Sequence, residues 1–334
     1  MKVIVFGAGG YLGIPLCEEL YRLGHDVYAH DRFYFGKEPK LNYNVARADI
    51  RTIAGWTSGV DAVIDLAGLS NDASAEIDPQ LTTDINERGG LNLIRRAQEC
   101  GVRRYIYSSS CSVYGHASKL GVTEEDFPNT LTAYAKSKVI VEQHALVRKS
   151  KTFEPVILRN ATAFGVAPRM RFDLAVNIMT LRAWRDGIIY VMMGGKQWRP
   201  FLSVQDIVRA FVMALEAPAE KVSGQIFNVG DDSLNMTIEQ VANIVHEEFP
   251  FAKVHHIPDN PDERSYNVSF KKIESVLGFK ATQNVLDGVR EIKSALINRT
   301  IDPDDPTCIT LDWYKSLLSW DKRITDLKID GKLL

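Results

Sequence analysis

Short apolar segments alternate with amphipathic segments through the first 160 residues of the chain. Buried strands of a parallel sheet read as apolar, β-branched runs, and the helices that cover both faces carry an apolar stripe with helical period. The pattern therefore predicts an α/β fold with a doubly wound parallel sheet. The predicted strands are Lys2–Phe6, Asp26–His30, Tyr43–Ala46, Ala62–Leu66, Arg104–Ser108 and Val156–Leu158, and the predicted helices are Leu12–Leu23, Pro79–Glu99 and Tyr134–Val147.

The regular alternation fades after residue 165, where Gly165 and Pro168 open a loop-rich section. Helices near Val204–Leu215 and Ile238–Glu247 and a strand at Gln225–Val229 follow. We expect a first domain over residues 1–165 and a smaller C-terminal α/β lobe over residues 166–334, with some of the later chain returning to the first domain. The pattern predicts no role for the segment after about residue 298.

Composition narrows the class of protein. The 334 residues carry 40 Lys and Arg against 42 Asp and Glu, so the formal charge is −2 and no basic field points to nucleic acid or an anionic membrane. The four cysteines lie far apart, without the spacing of a disulfide framework or a metal site, which fits a reducing cytoplasm. Because no apolar run reaches the roughly 18–20 residues of a membrane span, no membrane partner is expected.

A glycine-rich turn directly follows the first predicted strand. Gly7, Gly10 and Gly13 have the spacing that permits a tight turn, a close approach of the main chain to a pyrophosphate, and close packing of the next helix on the strand. The amide groups at the start of that helix, those of Tyr11 and Leu12 among them, would face the anion. The turn predicts a dinucleotide site, with a simple flexible turn as the alternative.

The next predicted strand ends at Asp31, about 20 residues further on. A carboxylate there accepts hydrogen bonds from ribose hydroxyls and repels a 2′-phosphate, which favours NAD over NADP. Arg32 follows and could pair with a 2′-phosphate, so NADP stays open. Asp49 either binds the adenine amino group, with Ile50 beside it, or is the N-cap of a helix that begins at Ile50.

Tyr134-Ala-Lys-Ser-Lys138 places a phenol and an ammonium group one helical turn apart. The cation favours the phenolate, which makes Tyr134 a candidate general base or acid for interconverting an alcohol and a ketone. The strand that begins at Arg104 ends in a serine-rich segment from Ser108 onward, at the carboxyl edge where doubly wound sheets keep their sites. A serine hydroxyl there can bind the substrate oxygen, although serines are also common in turns.

These motifs together resemble the extended short-chain dehydrogenases/reductases, and specifically the NAD-dependent epimerase/dehydratase family that acts on nucleotide sugars. The resemblance runs from Gly7 to about residue 295 and implies a Rossmann fold with NAD as cofactor. It implies that Ser110, Tyr134 and Lys138 are catalytic; Ser110 is chosen because it stands four residues before Tyr114 of the Val-Tyr-Gly motif. Further cofactor contacts are implied for Leu66, Ala67, Gly68, Asn86 and Ser108.

Substrate contacts are also implied by the resemblance. Trp198-Arg-Pro-Phe-Leu-Ser-Val-Gln-Asp206 and Pro261-Asp-Glu-Arg264 match the two regions whose arginines contact the nucleotide diphosphate, so Arg199 and Arg264 inherit that role. Ser112 is a possible helper of the catalytic serine. Thr162 stands where many epimerases have an asparagine, and Asn177 is a candidate for the compensating amide.

The chain departs from the dehydratases of the family, because Ser110-Cys-Ser-Val-Tyr-Gly115 lacks the Asp and Glu pair that eliminates water. Decarboxylation that uses a Glu at that place is disfavoured as well. We therefore expect an NAD-dependent nucleotide-sugar epimerase that works through a transient keto-sugar. The alternatives are an NAD(P)H-dependent keto-reductase of a nucleotide-linked deoxy- or heptose sugar and a non-catalytic dinucleotide sensor. The family also implies a homodimer formed by the Pro79–Glu99 and Tyr134–Val147 helices.

Overall fold

The computed structural model describes residues 1–36, 43–56, 59–258 and 264–333. Its strands are β1 (Lys2–Phe6), β2 (Asp26–Asp31), β3 (Asn44–Arg47), β4 (Ala62–Asp65), β5 (Arg104–Ser110), β6 (Glu154–Asn160), β7 (Thr162–Phe164), β8 (Ile188–Met192), β9 (Trp198–Ser203), β10 (Gln225–Val229), β11 (Asn235–Thr237) and β12 (Lys253–Ile257). Its helices are α1 (Gly13–Arg22), α2 (Asp72–Ala75), α3 (Pro79–Thr82), α4 (Gly90–Glu99), α5 (Ala133–Leu146), α6 (Ala175–Asp186), α7 (Val204–Glu216), α8 (Ala219–Val222), α9 (Ile238–Glu248), α10 (Lys271–Leu277), α11 (Val285–Ile297) and α12 (Thr310–Leu327).

The main sheet of the described residues has seven parallel strands in the order β10-β6-β5-β4-β1-β2-β3. The order reverses between β1 and β4, so the chain crosses to opposite sides of the sheet there and leaves a crevice at the carboxyl ends. This confirms the predicted doubly wound α/β fold.

Alternate residues of the central strand supply two apolar layers. Val3 and Val5 pack with Leu16 and Phe211 of α1 and α7 on one face. Ile4 and Phe6 face the other layer, which contains residues of α4 and α5. The two helical layers cover both faces of the sheet. The edge at which the parallel strands end is left open, together with the loops that follow the strands.

The helix predicted over Pro79–Glu99 forms as α3, a π-helical segment at Thr83–Gly89, and α4. The predicted start is confirmed, since the Asp78 side chain accepts hydrogen bonds from the amides of Gln80 and Leu81 and Pro79 is the first helical residue. Of the two alternatives for Asp49, the helix does not form: residues 50–52 make a turn, in which the Asp49 side chain accepts from the Arg51 amide at 2.9 Å.

The later part of the chain forms a further apolar cluster and also contributes one strand to the main sheet. Helices α6, α9 and α11 pack around Phe201 beside the small sheets β11-β9-β7 and β12-β8. The segment from α7 to β10 lies elsewhere, because β10 pairs with β6 at the edge of the main sheet. None of the helices in the described ranges is long and apolar enough to cross a membrane.

Candidate active site

A cavity of about 360 Å³ opens at the carboxyl ends of β1, β2, β4, β5 and β6. It lies where the strand order reverses, which is where doubly wound sheets bind their ligands. Of the residues predicted to bind a cofactor or substrate or to act in catalysis, those that line the cavity are Gly7, Gly10, Tyr11, Leu12, Gly13, Asp31, Arg32, Asp49, Ile50, Leu66, Ala67, Gly68, Ser108, Ser110, Ser112, Tyr134, Lys138, Thr162, Arg199 and Arg264.

The glycine turn fits a dinucleotide phosphate. A Cβ on Gly13 would lie 2.1 Å from the Gly7 carbonyl oxygen, so only glycine lets α1 start this close to β1. Gly7 has a φ of +82° and passes next to the main chain of Leu66. Helix α1 begins without a side-chain N-cap, which leaves its first amide groups for an anion.

The acidic strand end lies beside this turn. The Asp31 carboxylate accepts hydrogen bonds from the amides of Gly9 at 3.0 Å and Phe33 at 2.6 Å, while burial raises the pKa of Asp31. Arg32 forms an ion pair with Asp49 at 2.8 Å and lies over the Tyr34 ring. The positive charge that left NADP open is therefore already paired within the protein.

Ser110, Tyr134 and Lys138 meet at the other end of the cavity. Helix α5 begins next to Thr132, whose hydroxyl accepts from the Ala135 amide at 3.1 Å, and this start places Tyr134 in the first turn. The Tyr134 hydroxyl lies close to the Ser110 side chain at the end of β5, which acts to lower the pKa of the phenol. One turn later, the Lys138 ammonium group donates to the Ser108 carbonyl oxygen at 2.7 Å.

Burial and neighbouring charges shift the pKa values of Tyr134 and Lys138. Burial raises the pKa of Tyr134, and the Ser110 side chain opposes that rise. Burial also lowers the pKa of Lys138 to about 8, with the Asp65 carboxylate favouring the charged form. The ammonium lies 5.5 Å from the centre of the Tyr134 ring. The cation that lowers the pKa of Tyr134 is Arg171, which acts against burial and the Asp72 carboxylate.

A buried polar layer that the sequence analysis missed supports the serine strand. Glu142 of α5 pairs with Arg159 of β6 at 2.7 Å, and both side chains are buried. Ser109 donates to Glu142, and Arg159 donates to the Tyr114 hydroxyl at 2.9 Å. These contacts join α5 to β5 and β6 and so fix Ser110 relative to Tyr134. Because these buried residues are charged, they interrupt the apolar pattern by which buried strands are recognised. No motif spacing indicates such a layer in the sequence.

The two arginines expected to contact a diphosphate lie together. Arg199 lies over the Tyr266 ring at 4.9 Å and donates to the Arg264 carbonyl oxygen at 2.5 Å. The Arg264 guanidinium is paired with Asp72, which also accepts from Thr132. Residues 261–263 of the matching motif lie outside the described residues.

Two residues predicted to contact a ligand, Asn177 and Asn86, do not line the cavity. Asn177 is fully buried off the cavity wall: its amide donates to the Arg171 carbonyl oxygen at 2.8 Å and accepts from the Gly165 amide at 3.1 Å. The Asn86 side-chain oxygen accepts from the Leu69 amide at 2.7 Å, and its side-chain nitrogen donates to the Leu69 carbonyl oxygen at 3.1 Å. Asn86 therefore lies behind the cavity wall that it holds in place. Both side-chain amides make hydrogen bonds to buried main-chain groups, which would otherwise be left without partners.

The cavity is also lined by side chains for which the sequence motifs predict no role. Arg169 and Arg171, from the loop between β7 and α6, line it, as does Tyr314 of α12. The two arginines belong to the run Arg169-Met-Arg171, whereas no motif in the sequence includes Tyr314. Cys111, next to Ser110, is buried, and its thiol donates to the Arg159 carbonyl oxygen at 3.1 Å.

Comparisons with known proteins agree with this geometry. A family model described as the NAD dependent epimerase/dehydratase family matches residues 3–230. The UDP-glucose 4-epimerase of Lactobacillus helveticus is 25% identical over 316 residues, covering 86% of this chain and 94% of that protein. A UDP-N-acetyl-alpha-D-glucosaminuronate decarboxylase of Bacillus cytotoxicus is 26% identical over 289 residues, covering 81% and 87%. The solved structure of MoeE5 in complex with UDP-glucose and NAD has a TM-score of 0.78 at 25% identity, covering 90% and 100%.

Proposed function

Because the chain belongs to the NAD dependent epimerase/dehydratase family, we propose that it is a nucleotide-sugar epimerase that retains NAD through the reaction. The match spans more than half of the chain and includes the glycine turn, Ser110, Tyr134 and Lys138. Relatives with this likeness include both an epimerase and a decarboxylase, so the choice of reaction rests on the side chains of this cavity.

The residues that would hold the dinucleotide are those of the glycine turn, Asp31 and the loop Leu66–Gly68. Asp31 presents a carboxylate at the end of β2, where ribose hydroxyls can donate to it, and Arg32 is already paired with Asp49. When bound, NAD supplies a hydride acceptor that can return the hydride to the same carbon.

Proton movement falls to the Ser110, Tyr134 and Lys138 group. Tyr134 would take the proton of a sugar hydroxyl and give it back, while the Ser110 hydroxyl orients the sugar oxygen. Lys138 remains fixed on the Ser108 carbonyl and stabilises the negative charge on Tyr134. The transient keto-sugar would turn over in the cavity, take the hydride back on its other face and the proton back from Tyr134, and leave as the alcohol with inverted configuration at that carbon.

The observation that favours epimerisation is that each carboxylate lining the cavity in the described residues is already engaged. Asp31 accepts two main-chain amides, Asp49 is paired with Arg32 and Arg51, Asp72 with Arg264, and Asp173 with Arg171 at 2.9 Å. The resemblance to this family implies that elimination of water or loss of a carboxyl group needs an Asp or Glu at the positions that Cys111 and Ser112 occupy here. Epimerisation needs only the phenol, hydroxyl and ammonium.

Arg199 and Arg264 are the proposed contacts for the nucleotide diphosphate, with Ser112 and Thr162 nearer the sugar. Both guanidinium groups line the cavity, and a planar guanidinium matches a phosphate with two parallel hydrogen bonds. Since Arg264 is paired with Asp72, a diphosphate would compete with that carboxylate for the cation.

We also propose that the protein is a cytoplasmic homodimer. The four cysteines are free thiols, which fits a reducing compartment. Helices α4 and α5 lie side by side, since a Cβ on Gly90 would touch Val141, and Val147 at the end of α5 is 78% exposed. Light scattering should give twice the 37.4 kDa chain mass, and a single chain mass at micromolar concentration would contradict the dimer.

The epimerase is tested by mixing the purified protein with UDP-glucose or UDP-galactose and no added cofactor. Interconversion, followed by NMR of the anomeric protons, supports the proposal; other common sugar-nucleotide pairs are tried in the same way. Failure with all of them contradicts it. Stoichiometric oxidation of NADH or NADPH by a nucleotide-linked keto-sugar would indicate the keto-reductase, and NAD binding without any turnover would indicate a sensor.

A further inference from the structure

Arg169 is a buried cation on the wall of the cavity, outside the catalytic group. Only 2% of its surface is exposed. One guanidinium nitrogen donates to the Thr307 carbonyl oxygen at 3.2 Å and to the Thr310 hydroxyl at 2.9 Å, and the guanidinium carbon lies 3.7 Å from the centre of the Phe35 ring. Its Nε has no hydrogen-bond partner in the described residues.

The charge of Arg169 is not balanced within the protein. The neighbouring Arg171 forms two hydrogen bonds to Asp173, at 3.0 and 2.9 Å, whereas no carboxylate forms an ion pair with Arg169 among the described residues. Burial lowers the pKa of Arg169 to about 10. A buried, unpaired cation with an unused donor is costly, and an anion in the cavity would remove that cost.

The surroundings of Arg169 identify the part of the cavity concerned. Phe35 follows the acidic end of β2, and the positive charge of Arg169 acts on the Asp31 carboxylate. Asp31 in turn holds the Gly9 amide of the glycine turn at 3.0 Å. Arg169 therefore lies next to the place where the adenosine half of a dinucleotide meets the turn.

The C-terminal segment holds the guanidinium in this position. Both of its acceptors, at Thr307 and Thr310, belong to the start of α12 and the turn before it. Tyr314 lines the cavity 5.7 Å from the Phe35 ring, and the Trp313 indole donates to the Tyr34 carbonyl oxygen at 2.7 Å. The last part of the chain thus closes the cavity at its adenosine end.

Resting on the NAD site of the proposed function, we propose that Arg169 is a pyrophosphate-binding residue of the cofactor site, held in place by the C-terminal segment. Asp31 would repel a phosphate on the adenosine ribose, so the anion is the pyrophosphate rather than a 2′-phosphate. Charge-assisted hydrogen bonds of this kind change affinity by about 10- to 100-fold.

The test measures binding of NAD, ADP, 2′-AMP and adenosine to the full chain after nucleotide is removed with charcoal. Arg169→Met should weaken NAD and ADP by about 10-fold or more and leave adenosine unchanged. Arg169→Lys, which keeps the charge, should lose less. Arg182→Met is the matched control, because Arg182 also lies over an aromatic ring, 5.0 Å from the centre of Tyr190, but does not line the cavity.

Unchanged affinity for NAD and ADP in Arg169→Met would overturn the inference, and an equal loss for adenosine would show that Arg169 only supports the fold. A loss for 2′-AMP without a loss for ADP would overturn the pyrophosphate assignment. If Arg169→Met does not fold, Arg169→Lys decides on the same comparison of ADP with adenosine. Failure of the unaltered protein to bind NAD would contradict the proposed function itself.

Discussion

The Lys138 ammonium group donates a hydrogen bond to the main-chain oxygen of Ser108 at 2.7 Å. This bond joins the second turn of α5 to the end of β5 and holds the cation 5.5 Å from the Tyr134 ring. Because the contact is made to main chain, it does not depend on the identity of the serine side chain. The proposed proton-transfer group is thus positioned by α5 and β5, the same two elements that supply its side chains.

Ser110 and Cys111 provide a comparison between adjacent residues. Ser110→Ala removes the hydroxyl next to Tyr134 and should lower kcat by about 10²-fold, the low end for one positioned polar group. Cys111→Ala should leave kcat within about threefold and cost about 1 kcal/mol of unfolding free energy, because its thiol faces the Arg159 carbonyl. Steady-state kinetics and urea unfolding check both variants. An equal fall in kcat for the two would contradict the role given to Ser110.

Asp65→Asn should shift the pH dependence of the reaction. The Asp65 carboxylate favours charged Lys138, so its loss lowers the pKa of Lys138, which is about 8 in the unaltered protein. The ammonium then loses its proton at lower pH, and the alkaline limb of kcat/KM against pH moves down. Asp61→Asn, an exposed carboxylate that accepts from the Lys2 amide, is the control. A profile unchanged or displaced to higher pH would contradict the coupling.

The glycine turn predicts different outcomes at two of its positions. A Cβ on Gly13 meets the Gly7 carbonyl at 2.1 Å, so Gly13→Ala should lower the unfolding free energy by roughly 3 kcal/mol, the upper range for overpacking. At Gly10 the same contact is 3.2 Å, so Gly10→Ala should cost less than about 1 kcal/mol.

Gly10→Ala should still weaken NAD binding, by about 10-fold or more, because its methyl group lies where the main chain would approach the pyrophosphate. Urea unfolding and calorimetric titration with NAD separate the two effects. Full NAD affinity in a folded Gly10→Ala protein would show that the turn does not cradle the cofactor.

Strands with uniform apolar residues could be predicted closely, and those with buried charges could not. β1 and β10 have the predicted bounds: Val, Ile, Val and Phe follow Lys2 in β1, and Ile226, Phe227 and Val229 supply the apolar positions of β10. β6 was predicted over Val156–Leu158 but spans Glu154–Asn160. Its outer residues include two charged side chains that are buried in ion pairs. Glu154 pairs with Arg104 at 2.8 Å, and Arg159 pairs with Glu142.

The candidate site shows the same limit. The residues brought to the cavity by strand ends follow from the topology, since parallel strands end at one edge. Asn177 could not be placed correctly, because an amide that binds main chain and one that binds a ligand look alike in sequence. Arg169 was missed since its partner Thr310 lies 141 residues later in the chain.

The most direct test of the account is Tyr134→Phe, which removes the one hydroxyl that the proposed reaction cannot replace. The variant should bind NAD within about threefold of the unaltered protein and lose interconversion of the sugar nucleotide by about 10²- to 10⁴-fold. Calorimetry and anomeric NMR on the same preparation measure both quantities. Tyr21→Phe, at an exposed tyrosine, should change neither. Undiminished turnover in Tyr134→Phe would show that another group moves the proton.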